Sequence, residues 1–96
     1  MNQLSNSSDF NKTIEKGTWL VDFSATWCGP CRMLEPNLEE VAKDNNVLQV
    51  DIDKFMDLAE KFGIFSVPTL IVFKDGKLVN QVSGYRSVDE IRKLLN

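Results

Sequence analysis

The sequence predicts an α/β domain, a mixed sheet covered by helices on both faces. Three observations carry that prediction. Short apolar and β-branched runs alternate with segments whose apolar residues recur every three or four positions. Two of the runs flank an Asp-Gly dipeptide, the signal of an antiparallel hairpin. Right-handed crossovers through the intervening helices join the earlier strands in parallel. At 96 residues, 43% hydrophobic and 26% charged, the chain suits one domain over residues 1–96, with a real core but no room for a second.

Leu4 suits a short edge strand, although the N-terminal segment is brief enough to put that first strand in doubt. Ser8 stands where it would cap a short helix carrying Phe10 and Ile14 and closed by Gly17. Trp19–Phe23 is an aromatic and β-branched run suited to a strand buried on both faces, with Asp22 its one charged residue. Met33, Leu34, Leu38, Val41 and Ala42 predict a helix from about Cys28 to Asp44-Asn45-Asn46. Pro36 lies inside it and lacks the N–H that would bond to residue 32, so the axis should kink.

Val47–Ile52 reads as the next strand. Asp53 or a neighbour then caps a helix presenting Phe55, Leu58, Ala59 and Phe62 that stops near Gly63. Thr69–Phe73 and Leu78–Val82 pair across Lys74-Asp75-Gly76-Lys77. Ser87, with Glu90 three residues on, has the pattern of a capping box for a last helix with Val88, Ile91, Leu94 and Leu95. No repeat, low-complexity tract or linker interrupts this order.

Composition narrows the function. Eleven Lys and Arg against fourteen Asp and Glu give a formal charge of -3, which offers no electrostatic footprint for nucleic acid. With no histidine there is no catalytic imidazole and no histidine metal ligand. Residues 1–13 lack a basic segment followed by an apolar run, and no stretch approaches about 18 apolar residues. The expectation is a cytoplasmic protein without membrane association, and nothing in the sequence demands a dimer.

Both cysteines lie in Trp27-Cys28-Gly29-Pro30-Cys31. A bond between them closes only a tiny loop and constrains the unfolded chain little, so it suits being made and broken more than stapling a fold. The pair follows an inner strand and opens a helix. There the unpaired N–H groups and the positive end of the helix dipole favour a thiolate, the form in which cysteine is a nucleophile. Cys28 is placed to attack a substrate disulfide, and Cys31, one turn on and facing inward, to resolve the mixed disulfide. Gly29 permits close approach of a partner chain, and Pro30 takes an early helical position where its missing N–H is no loss. Trp27 suits a lid or docking surface beside the nucleophile; a core role for Trp27 or Trp19 is the alternative. A structural zinc site would need four ligands, and neither further cysteine nor histidine exists to supply them. Two inert core cysteines would suit a mid-helix apolar face better than a turn containing Gly-Pro.

Val21-Asp22-Phe23, Trp27-Cys28-Gly29-Pro30-Cys31, Pro36, Val67-Pro68-Thr69, the Asp-Gly hairpin and Gly84, in this order and at these distances, resemble the thioredoxin family over essentially the whole chain. The resemblance implies a thioredoxin fold with a central sheet of four or five strands flanked by four helices. It implies general reduction of protein disulfides, with no bound cofactor. Electrons would come from NADPH through a flavin-containing thioredoxin reductase. Acceptors would include ribonucleotide reductase, peroxiredoxin and methionine sulfoxide reductase.

Asp22 matches the family's buried carboxylate beneath the redox pair. A carboxylate among Leu20, Val21 and Phe23 is costly without a partner or a task, burial should raise its pKa, and a proton relay to Cys31 is the task. The alternative is that its strand position faces a solvated cavity. An X–Pro bond is trans by default, whereas the resemblance implies a cis Val67–Pro68 bond that lays the loop against the cysteines and leaves the Val67 backbone free for an extended substrate. Trp27, Val67, Pro68, Gly84 and Tyr85 would form the substrate groove. Ser24 stands where many relatives have a second tryptophan, and Gln49 where many have a lysine near the buried carboxylate. Asp22 would then be governed more by burial alone.

The competing class is a thioredoxin-like binding or assembly module that uses the fold rather than the thiols. The intact Cys28 and Cys31 argue against it. Disulfide oxidation or isomerisation in an exported compartment, and glutathione-dependent chemistry, are disfavoured by the Gly-Pro spacer.

Overall fold

A computed structural model describes residues 1–96. In it, β1 (Asn2–Gln3) leads through a 3-10 turn over Ser7–Asp9 into α1 (Phe10–Thr13), followed by β2 (Thr18–Ser24) and α2 (Gly29–Val41). Next come β3 (Asn46–Asp51), α3 (Met56–Lys61), the hairpin β4 (Thr69–Lys74) and β5 (Lys77–Ser83), and α4 (Val88–Leu95). The five strands form one mixed sheet in the order β1-β3-β2-β4-β5.

The central strand β2 runs parallel to β3, with Asp22 opposite Gln49, and antiparallel to β4, with Asp22 opposite Leu70. Strand alternation then sorts its side chains between two cores. Val21 and Phe23 join Leu48, Val50, Ile71 and Phe73 against Phe10, Ile14, Phe55 and Leu58. Leu20 joins Val47, Leu70 and Val72 on the other face, against Leu34, Leu38, Val41 and Ile91. A slip of one residue would exchange these two sets, so burial on both faces fixes the register. Phe10, Phe23, Phe62 and Phe73 pack with centroid separations of 5.5–5.9 Å.

The Asp75-Gly76 turn has both residues at positive φ, 50° and 83°, the conformation that a two-residue hairpin connection demands. Ser87 and Glu90 form the complete capping box of α4. The first strand is present, but only two residues long, extended by a bond from the Leu4 N–H to the Gln49 carbonyl at 3.0 Å.

Three local expectations are corrected. Ser8 caps nothing: the turn begins after Asn6 with no side-chain cap, because the segment winds as a 3-10 turn and presents different groups from a regular helix start. Met33 is exposed. Cys31, Leu34, Leu38 and Val41 define the buried stripe of α2, and Met33 lies roughly 120° around the helix from it. Asp53 does not cap α3, whose N-cap position is Phe55, two residues later. The local acceptor is Asp51, whose Oδ1 receives the N–H groups of Asp53 (2.9 Å) and Lys54 (3.4 Å).

Candidate functional site

The carboxyl end of β2 delivers the chain through Ala25-Thr26-Trp27 to the start of α2. Cys28 is the N-cap residue of that helix, with extended backbone, and Pro30 follows within its first turn. The Cys31 N–H donates to Cys28 Sγ at 3.2 Å. The two sulfurs are joined as a disulfide, with Cα atoms 5.3 Å apart. Arg32 steadies the turn from outside, its guanidinium donating twice to the Thr26 carbonyl at 3.0 and 2.6 Å.

Cys28 and Cys31 are both buried, 5% and 1% exposed, in a small cluster with Ala25, against which Ile52 and Val67 pack. The Val67–Pro68 bond is cis. Cys28 Sγ lies 3.6 Å from the Val67 carbonyl oxygen, and neither the N–H nor the C=O of Val67 joins a backbone hydrogen bond. Pro68 is buried, and its carbonyl accepts the Gly84 N–H at 2.8 Å. Gly84 has a φ of 89°, a backbone conformation that disfavours any side chain at the point where the chain turns back beside Pro68.

Trp27 is largely exposed, and its indole N–H donates to Asp53 Oδ2 at 2.8 Å. A Cβ built on Gly29 meets nothing within 4 Å, so the front of the site is open. Tyr85 is exposed, its hydroxyl accepting from Asn37 Nδ2 of α2 at 3.0 Å. Trp19 instead packs half-buried against the core on the α1 and α3 side.

Asp22 is fully buried in mid-strand. Its Oδ2 accepts from Gln49 Nε2 at 3.1 Å, while Oδ1 has no partner. Burial pushes its carboxyl up from 3.8 to about 7, Gln49 opposes that rise by bonding to the ionised form, and the Glu35 carboxylate adds to it.

A family model for thioredoxin matches residues 2–96. The chain belongs to the thioredoxin family. Thioredoxin from Staphylococcus epidermidis is 46% identical over 93 residues, covering 93% of this chain and 89% of that one. Thioredoxin from Staphylococcus aureus is 44% identical over the same shares. Among solved structures, a mutant thioredoxin from Halobacterium salinarum superposes with a TM-score of 0.93 at 34% identity, covering 98% of this chain and 86% of that one. Fasciola hepatica thioredoxin gives 0.90 at 36%, covering 99% and 96%.

The protein is therefore a dithiol–disulfide oxidoreductase acting on protein disulfides, built on the thioredoxin fold. Thioredoxins generally hold no cofactor of their own, and they work with a thioredoxin reductase and disulfide substrates. No helix of this chain is long and apolar enough to cross a membrane.

Three features of the site escaped the sequence. Asp53 holds Trp27, which nothing in their spacing announces. Phe65, two residues before Val67, is 99% exposed. Glu35 lines a cleft together with Ser24 and Gln49. Its place four residues after Cys31, on the flank of the buried stripe, is the one signal that pointed there.

Proposed function

We propose that Cys28 is the nucleophile and Cys31 the resolving thiol in a reductive cycle. The observation that carries this reading is the Cys31 N–H donating to Cys28 Sγ at the first turn of α2. An N–H held on that sulfur, together with the helix dipole, favours the Cys28 thiolate over the thiol. The thiolate attacks a substrate disulfide, forming a Cys28–substrate bond and releasing the first substrate sulfur as a thiolate. The Cys31 sulfur then attacks Cys28 Sγ, and its proton passes to Asp22. The Cys28–Cys31 bond forms, the bond to substrate breaks, and the electron pair leaves on the second substrate sulfur, which takes a proton from water. Two electrons have moved to the substrate.

Gly29 and Pro30 keep the front of the turn low and stiff. Trp27, Val67, Pro68, Gly84 and Tyr85 line the groove, and the unpaired Val67 backbone bonds to an extended substrate segment. A flavin-containing thioredoxin reductase using NADPH regenerates the dithiol in the cytoplasm. Ribonucleotide reductase, peroxiredoxin and methionine sulfoxide reductase are the substrate proteins in view, each met by a monomeric 1–96 domain in a transient complex.

The test is insulin reduction coupled to a thioredoxin reductase and NADPH. The parent protein should turn over. Cys31→Ser should stop turnover and accumulate mixed disulfides on Cys28. Accumulation through Cys31 in the Cys28→Ser variant would reverse the assignment. Asp22→Asn should flatten the pH dependence of exchange between about pH 6 and 8; an unchanged profile removes Asp22 from the relay.

A further inference from the structure

The loop that joins β5 to α4 is held mainly by side chains. At its start the Gly84 N–H is tied to the Pro68 carbonyl, but Tyr85 and Arg86 join no backbone–backbone hydrogen bond before α4 begins at Val88. Three side-chain bonds hold them instead. The Arg86 guanidinium folds back on the Tyr85 carbonyl at 2.9 Å, while Asn37 Nδ2 donates to the Tyr85 hydroxyl at 3.0 Å and to the Arg86 carbonyl at 2.9 Å. Both N–H groups of one amide are spent on adjacent residues of one loop.

Asn37 belongs to α2, the helix that carries the redox turn. It stands about two turns after Pro30 and therefore on the same flank, half-buried between the helix and the loop. The clamp fastens the loop to the element whose first turn holds Cys28 and Cys31. It also fixes the far end of the Tyr85 side chain, although the residue as a whole stays 47% exposed. A ring held at its tip and open on its surface is ordered before any substrate arrives, so little freedom is left for binding to remove.

We propose that Asn37 is a positioning residue for substrate binding: its amide locks the Tyr85 ring and the Arg86 backbone to α2, so that Tyr85 stands as a preordered wall of the groove beside Gly84. The proposal rests on the reading that Gly84 and Tyr85 line the substrate groove. Asn37 lies about 9 Å along the helix from Cys31 and acts through Tyr85, not on the sulfurs. Releasing the ring moves its ordering cost into the binding step, which weakens the hold on a substrate that covers Tyr85 and leaves the exchange step alone.

Tyr85 is the only tyrosine of the chain, so 13C placed at the tyrosine ε carbons reports on this ring alone. Relaxation of the oxidised protein should show a rigid ring in the parent and added ps–ns motion in Asn37→Leu and Asn37→Ala. In single-turnover reduction of insulin by the prereduced protein, Asn37→Leu and the milder Tyr85→Phe should each raise the half-saturating insulin concentration. The rise should be about three- to fivefold with the maximal rate kept, the scale of one side chain ordered during binding instead of before it. A small aromatic disulfide should register much less. The double variant should match Asn37→Leu alone, because both changes release the same ring. A ring as rigid in both Asn37 variants as in the parent overturns the proposal. So do additive losses in the double variant, or a fall in maximal rate with half-saturation unmoved. Failure of the groove reading is a separate result, a parental half-saturation in Tyr85→Ala.

Discussion

Asp22 shows how one residue ties folding to function. Its carboxyl has lost water on both oxygens and recovered one hydrogen bond, from Gln49. Such a group keeps its proton well above the ordinary carboxylate range, here to about 7. The sign of the stability effect follows. Below pH 3.8 the group is protonated in both folded and unfolded chains and contributes nothing. Between there and about pH 7 the unfolded chain is ionised while the folded protein holds its proton, so stability falls as pH rises, and above that it stays low. Asp22→Asn removes the penalty. The variant should match its parent near pH 3.5 and exceed it by up to about 4 kcal/mol at pH 8. Denaturant unfolding at several pH values checks this, and a pH-independent difference would show that no buried charge is involved. A carboxyl with its pKa raised to about 7 is thus held at the expense of fold stability.

At the scale of elements, α4 depends on its start. It has eight residues, and Ser87 accepts the Glu90 N–H at 3.2 Å while Glu90 accepts the Ser87 N–H at 2.9 Å. Ser87→Ala should cost about 1 kcal/mol in denaturant unfolding, with activity retained, because Ile91 still anchors the helix in the core. An unchanged stability would mean that the cap is replaced by water at no loss. This box was legible in the sequence because it is local: two residues three apart define it. The Asp75-Gly76 turn and the double-faced burial of β2 were legible for the same reason. The Ser8 cap and the Asp53 cap were misread because Ser, Asp and Asn satisfy N–H groups in turns as readily as at helix starts. Met33 was misread because a three-or-four periodicity admits neighbours of the stripe that geometry then turns outward. The partners of Asp53 and Gln49 lie 26 and 27 residues away, respectively, and come together only through the parallel β2–β3 crossover. Family resemblance, not pattern, supplied the cis Val67–Pro68 bond and the task of Asp22.

Across the whole molecule, two sealed cores contrast with an apolar rim left open around the redox pair. Trp27, Met56 and Phe65 are 67%, 63% and 99% exposed, while the two cysteines, against which Ile52 packs, are nearly covered. Ile52, Met56, Ile64 and Phe65 line a shallow hollow of about 410 Å³, and Asp53 at its edge also holds the Trp27 indole, so hollow and tryptophan are continuous. If a substrate protein whose disulfide reaches the redox pair also lays its surface over this hollow, a small disulfide reagent does not. Phe65→Ser separates the two cases. Burying part of a phenyl ring, about 50 Å² at about 25 cal/mol per Å², contributes on the order of 1 kcal/mol to a docked complex. The variant should lose about five- to tenfold in kcat/KM on a protein disulfide such as insulin, mainly through KM. On a small aromatic disulfide the loss should be several times smaller, because the sulfurs and the turn that holds them are untouched. Equal losses on both substrates would place Phe65 in the support of the Val67–Pro68 loop instead of on the docking face.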